Sequence, residues 1–199
     1  MILKVKEKNA VKYAISILKQ GGLVIYPTES SYGIGADFNN NEAKKRIYAI
    51  KKRAKSKQLS VIAGSLAAMR RYAIIENDAS LLAGKFMPGP LTLVVKRKGR
   101  GTIAFRISSH PFALALAKLY GKPITATSAN IAGKKAVYKI GDAIKKFGGK
   151  VDLIIDGGYL PRRNPSTVYD VEKKKILRKG PVSEKDITKA LKHSTSNPR

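Results

Sequence analysis

Apolar positions along the chain switch between helical spacing and short continuous runs, and the switches outline an alternation of helices and strands. Ala10, Ala14, Ile17 and Leu18 share one face of a helix predicted to end near Gln20, with Asn9 as its cap and Gly21-Gly22 as its stop. Leu23-Val24-Ile25-Tyr26 then reads as a buried strand halted by Pro27. A second helix is expected from Asn41 to Lys52, turning Ala43, Ile47 and Ile50 inward, and a strand from Leu59 to Ala63. A helix from Ala79 to Phe86 closes at Pro88-Gly89-Pro90. Leu91 to Lys96 and Ile103 to Ile107 pair as strands across Lys98-Gly99-Arg100-Gly101.

Further along, Phe112 to Tyr120 and Ile140 to Phe147 have helical spacing, and Ile124 to Thr127 is extended. Leu153 to Ile155, Thr167 to Val171 and Lys175 to Arg178 complete the strands. Ser183 and Asp186 open a last helix as a capping-box variant, with Asp in the usual Glu position. The pattern predicts an α/β (α+β-like) domain, a twisted mixed parallel and antiparallel sheet covered by helices. No repeat or low-complexity linker breaks the chain, so residues 1–192 are expected to form one domain. The polar stretch 193–199, which holds His193, is expected to be a disordered tail.

Composition narrows the chemistry. The chain has 199 residues, 43% of them hydrophobic, and no cysteine. Disulfides, thiolate metal sites and cysteine nucleophiles are therefore excluded. His110 and His193 are the only histidines. The amino terminus turns charged after Met1-Ile2-Leu3, without a secretory apolar region, and no apolar run approaches the ~20 residues of a membrane span. The expectation is a soluble, cytoplasmic protein with no membrane partner.

Charge changes the picture more. Forty Lys and Arg oppose 13 Asp and Glu, a formal +27. Such a field attracts polyanions without dictating a fold. It leaves two readings open: a nucleic-acid partner, or a lysine-rich solvated surface.

Several polar segments are neither plain core nor plain surface. Tyr26-Pro27-Thr28-Glu29-Ser30-Ser31-Tyr32-Gly33-Ile34-Gly35 gathers hydroxyls and glycines beyond a buried strand, the usual ligand position in open α/β sheets. Gly33-Ile34-Gly35 lacks the third glycine of a dinucleotide fingerprint, and no Walker pattern is present. Lys51-Lys52-Arg53-Ala54-Lys55-Ser56-Lys57 concentrates cations that suit phosphate or simply a solvated helix end. In Pro123-Ile124-Thr125-Ala126-Thr127-Ser128-Ala129-Asn130, Ser128 and Asn130 are two apart in an extended stretch and point the same way. Arg162-Arg163-Asn164-Pro165-Ser166-Thr167-Val168 and Leu177-Arg178-Lys179-Gly180 again set cations and hydroxyls beside strands.

As an ordered set, these segments resemble the YrdC-like threonylcarbamoyl-adenylate synthase family. The family's P-T-[ED]-[ST]-x-Y-G-[IL] stretch is similar to Pro27 to Ile34. Its K-x-R matches Lys51-Lys52-Arg53, with a further lysine at Lys57. P-G-P-L-T stands at Pro88 to Thr92, and an arginine-bearing strand at Ala104 to Ile107. S-x-N stands at Ser128-Ala129-Asn130, S-T-V at Ser166 to Val168 and L-R-x-G at Leu177 to Gly180. Each motif is weak alone; their order, over roughly residues 8 to 190, is specific.

The resemblance implies a short, single-domain form with a cationic concave cleft. It implies condensation of L-threonine, bicarbonate or CO2, and ATP into threonylcarbamoyl-AMP and pyrophosphate, for tRNA threonylcarbamoyladenosine modification. By the family pattern Lys51 and Arg53 are catalytic, and Arg53, Lys57, Thr92, Ser128, Asn130 and Arg178 bind nucleotide. Thr28, Arg106 and Ser166 surround threonine or its carbamate. ATP arrives with Mg²⁺, no tightly bound protein-ligated metal is expected, and the product passes to downstream tRNA threonylcarbamoyl-transfer machinery. The alternative is a double-stranded RNA or tRNA-binding module without synthase activity, motivated by the net charge.

The sequence departs from the family pattern in places. Leu59-Ser60-Val61-Ile62-Ala63 lacks the histidine many relatives carry after the K-x-R helix. Lys134-Lys135-Ala136-Val137 replaces an S-P-T segment, and Asn164-Pro165 replaces Gly and Glu before Ser-Thr.

Overall fold

A computed structural model describes residues 1–192; the expectation of disorder for 193–199, and His193 with it, lies outside the described residues. The chain runs β1 (Ile2–Lys4), α1 (Ala10–Lys19), β2 (Val24–Pro27), β3 (Tyr32–Gly35), α2 (Asn41–Lys51), β4 (Val61–Ile62), α3 (Leu66–Arg70), α4 (Asn77–Phe86). It continues β5 (Leu91–Lys96), β6 (Thr102–Arg106), α5 (Pro111–Tyr120), β7 (Ile124–Thr125), β8 (Thr127–Ser128), α6 (Ile140–Phe147), β9 (Leu153–Asp156), β10 (Thr167–Asp170), β11 (Lys175–Arg178) and α7 (Glu184–Lys192).

The strands form two mixed sheets where the sequence suggested one. The first has the order β1-β9-β2-β3-β8, the second β11-β10-β5-β6-β4-β7. In the first, β1, β9 and β2 are parallel, and β3 and β8 continue antiparallel. In the second, β10 is parallel to β5 and β4 to β6, while the β5–β6 hairpin is antiparallel as predicted.

Side-chain alternation explains the layers. Val24, Tyr26, Leu153 and Ile155 of the first sheet face Ala14 and Leu18 of α1 and Leu116 of α5. Ile25, Ile34 and Ile154, on the other face, meet Ile47 of α2 and Phe147 of α6. In the second sheet Leu91, Leu93, Val95 and Phe105 pack beneath Leu82 of α4 and Ile187 of α7. The intervening Thr92, Ala104 and Arg106 point to the opposite face, where the site lies.

A short crossing joins the sheets. β7 closes the second, β8 closes the first, and only Ala126 separates them. Thr125 locks the crossing: its Oγ1 accepts from Ala36 N (2.8 Å), and its own N–H donates to Ala36 O (2.8 Å).

Local predictions need some correction. Asn9 occupies the cap position of α1, but its side chain makes no capping bond; Asn40 does cap α2, accepting from Ala43 N at 2.9 Å. The strand expected over Leu59–Ala63 contracts to Val61–Ile62, because Ser60 is bonded to Ala126 through both backbone and hydroxyl. The Ser183–Asp186 box closes in both directions, at 3.0 Å and 3.1 Å. No helix among the described residues is long and apolar enough to cross a membrane.

Candidate active site

The two sheets and the loops between them enclose a cavity of about 460 Å³. Thr28, Ser30, Ser31 and Gly33 line it from the β2–β3 turn, and Thr92, Ala104, Arg106, Val168 and Arg178 from the second sheet. The stretch Ala126–Asn130 forms a third wall; Arg53, Gln58, Lys134, Tyr138, Arg163 and Ser166 complete the rim. Arg53, Arg106, Lys134, Arg163 and Arg178 are cations, and no aspartate or glutamate is among the lining residues. A cleft with that imbalance focuses a positive potential and favours an anionic occupant.

The arginines are held by short contacts. Arg106, at the end of β6, donates from Nη1 to Glu29 Oε1 at 2.6 Å, and both side chains are about nine-tenths buried. Ser108 donates to the other oxygen of Glu29. This anchors one edge of the Arg106 guanidinium while the residue still lines the cavity. Arg178, from β11, donates twice to Ser166 O (3.0 and 2.8 Å) and once to Ser166 Oγ (3.0 Å), which is 2.7 Å from Thr92 Oγ1. Burial, and after it the neighbouring Arg106, lowers the proton affinity of Arg178. Arg53 is fixed by the carbonyls of Lys57 (3.2 Å) and Gln58 (3.1 Å).

Two of the expected site lysines, Lys51 and Lys57, stand outside the lining. Lys51 is 2% exposed and does not line the cavity. Its ammonium donates to Ser128 O, to Asn130 O (2.7 Å) and to Asn130 Oδ1 (3.3 Å), and its carbonyl accepts from Ala132 N (2.8 Å). From that position Lys51 braces the Ser128–Asn130 wall from behind and is not among the residues that line the cavity. Burial, with a smaller push from Arg53, lowers its pKa to about 8. Lys57 is exposed and also absent from the lining, and its carbonyl accepts from Arg53 Nε.

Ser128 and Asn130 do point together, as their spacing predicts: Ser128 Oγ donates to Asn130 Oδ1, and Asn130 Nδ2 donates to Lys134 O at 2.6 Å. Thr28 caps its own turn, with Oγ1 2.6 Å from Ser31 O. Tyr32 is a structural member of its motif. Its hydroxyl donates to Gly158 O (2.8 Å) and accepts from Gly157 N (2.9 Å), and burial pushes it up to about 12.

Sequence reasoning missed other site residues. Glu29 was legible only as a nearby carboxylate, and its pairing across 77 positions needs the fold. Tyr138, Gln58 and Lys134 carry no motif signal. Arg163 lay in a segment already singled out, though nothing marked it above Arg162. Among the described residues no group of three or more His, Cys, Asp or Glu is arranged to hold a metal ion.

The fold and the cavity define a two-sheet α/β domain built around a cationic, hydroxyl-lined cleft. The chain belongs to the Sua5/YciO/YrdC family, described as "Telomere recombination", whose model matches residues 16–180. A Vibrio cholerae protein named threonylcarbamoyl-AMP synthase is 33% identical, over 85% of this chain and 97% of its own length. A Pyrococcus abyssi protein of the same name is 34% identical over 96% of this chain, which spans only 61% of that relative's length. The crystal structure of P. abyssi Sua5 complexed with L-threonine superposes with a TM-score of 0.88, at 34% identity, over 96% of this chain and 61% of that one.

Proposed function

We propose that this chain is an L-threonylcarbamoyladenylate synthase, a nucleotidyltransferase that condenses L-threonine, bicarbonate or CO2, and ATP into threonylcarbamoyl-AMP and pyrophosphate. The observation that carries the reading is the cavity: arginines from both sides of a cleft, interleaved with Thr, Ser and Asn, without an acidic, histidine or cysteine lining residue. Two relatives named for this activity, and a homologous structure complexed with L-threonine, support it.

In this reading the threonine amine takes up CO2 with loss of a proton. A carbamate oxygen then attacks the α-phosphorus of ATP, and pyrophosphate leaves. The chemistry calls for orientation and charge neutralisation rather than covalent help. Arg53 faces the phosphates, with Thr92, Ser128, Asn130 and Arg178 completing the nucleotide contacts. Arg106, held on one edge by Glu29, keeps a free edge for the threonine carboxylate, beside Thr28 and Ser166. Lys51 sets the height of the Ser128–Asn130 wall, and Lys57 acts through Arg53. Mg²⁺ comes to the site on the phosphate oxygens of ATP, since Glu29, the nearest carboxylate, is already bonded to Arg106 and Ser108. The product serves tRNA threonylcarbamoyladenosine formation in the cytoplasm, through separate transfer machinery.

Incubation with ATP, L-threonine and ¹³C-bicarbonate tests the chemistry. Mass spectrometry should find an adenylate bearing both threonine and the label. Formation of AMP or ADP without such an adenylate would contradict the reading.

A further inference from the structure

Beside the main cavity lies a second hollow of about 480 Å³, which shares Gln58 and Leu59 with it and so sits across the 53–59 loop. Its floor is Phe38, 9% exposed and packed into the core of the second sheet. Lys44 from α2 places its ammonium 5.0 Å from the centre of that ring, and Arg97, at the end of β5, its guanidinium 5.2 Å from the same centre. Lys55 lines the hollow as well.

Two like charges over one ring repel. The aromatic face compensates each only partly. Among the described residues neither Lys44 nor Arg97 has a carboxylate or hydrogen-bonded acceptor; Asp37 acts on Lys44 only at a distance. Glu42, the acidic residue in the hollow, pairs with Lys45 at 2.7 Å. The proton affinity of Lys44 is lowered by burial first and by Arg97 second. A bound anion would relieve both effects at once, and the flat fork of Arg97 with the point charges of Lys44 and Lys55 suits the tetrahedral oxygens of a phosphate.

We propose that the hollow over Phe38 is a second phosphate-binding site, separate from the main cavity, with Arg97, Lys44 and Lys55 as its ligands. The phosphate could come from a small polyphosphate or from a nucleic-acid backbone; the chemistry at the hollow is the same. The site stands on its own geometry and does not depend on the synthase reading.

Amide chemical shifts of the ¹⁵N-labelled full chain provide the test, titrated in separate arms with inorganic pyrophosphate and with a short RNA duplex. Residues 38–45 and 97–103 should shift as a set distinct from 126–130 in at least one arm. That arm identifies the source. In the double variant Lys44→Ala, Arg97→Ala, apparent affinity for the first set should fall about tenfold or more, while shifts at 126–130 persist. Both substitutions lie on the surface of the hollow, and persistence of the 126–130 shifts verifies folding. A first set that is silent in both arms, or that titrates unchanged in the variant, overturns the proposal. If the double variant does not fold, Arg97→Gln alone is titrated in its place, with the same two outcomes.

Discussion

Arg106 and Lys51 show how burial converts similar cations into different parts. Arg106 is pinned by Glu29 on one edge and remains in the cavity wall, so it can receive a second carboxylate without moving. Arg106→Ala should weaken threonine binding about 10- to 100-fold, the loss of one or two charge-assisted hydrogen bonds, while ATP affinity changes little. Separate calorimetric titrations check this, and equal losses for both ligands would remove Arg106 from the threonine subsite. Lys51 instead satisfies carbonyls in the protein interior. Lys51→Met leaves those acceptors without partners and should cost about 2–4 kcal/mol in urea denaturation. Its pKa is about 8 folded against an ordinary 10.5. Between those values the unfolded chain binds more protons, so the Lys51 contribution makes wild-type stability rise from pH 8 to 10.5. The Lys51→Met variant should lack that component of the rise; parallel pH profiles would contradict it. The motif spacing placed Lys51 near the site but could not tell a phosphate ligand from a strut, since Lys51 and Lys57 are both lysines within four residues of Arg53.

Elements with a strong period were legible before the fold was known. The β5–β6 hairpin, the helices α2 and α5, and the capping of α7 follow from apolar spacing and turn chemistry. What escaped is pairing at long range. β3 reads as a polar loop because its Tyr32 and glycines carry no alternation, yet it is buried between β2 and β8. The division into two sheets depends on the crossing at Ala126, which no local pattern announces. Close backbone approach gives a sharp test at this scale. A Cβ on Gly180 would lie 2.4 Å from Thr167 N and 2.5 Å from Pro165 O. Both are backbone atoms beside Ser166, so Gly180→Ala must displace the strand that positions Ser166 and Arg178. We expect about 1–3 kcal/mol of destabilisation and weaker ATP binding than in wild type. Thermal denaturation and calorimetry of the variant read both quantities, and unchanged values would show that the two strands can part without cost.

At the scale of the whole molecule, the +27 charge separates into populations with different parts to play. Arg53, Arg106, Arg163 and Arg178, with Lys134, line one cleft, whereas Lys44 and Arg97 share an adjoining hollow. Many others are exposed, and the excess of charge by itself selects no substrate. The account therefore rests on the cavity, where cations and hydroxyls from two sheets meet without a competing acid on the lining. The most direct measurement of that claim is pyrophosphate release from ATP, with threonine and bicarbonate supplied together and each omitted in turn. The account predicts release only when both are present, and a loss of about 100-fold or more in Arg53→Ala at unchanged thermal stability. Release that ignores threonine, or an Arg53→Ala variant as fast as wild type, would contradict it.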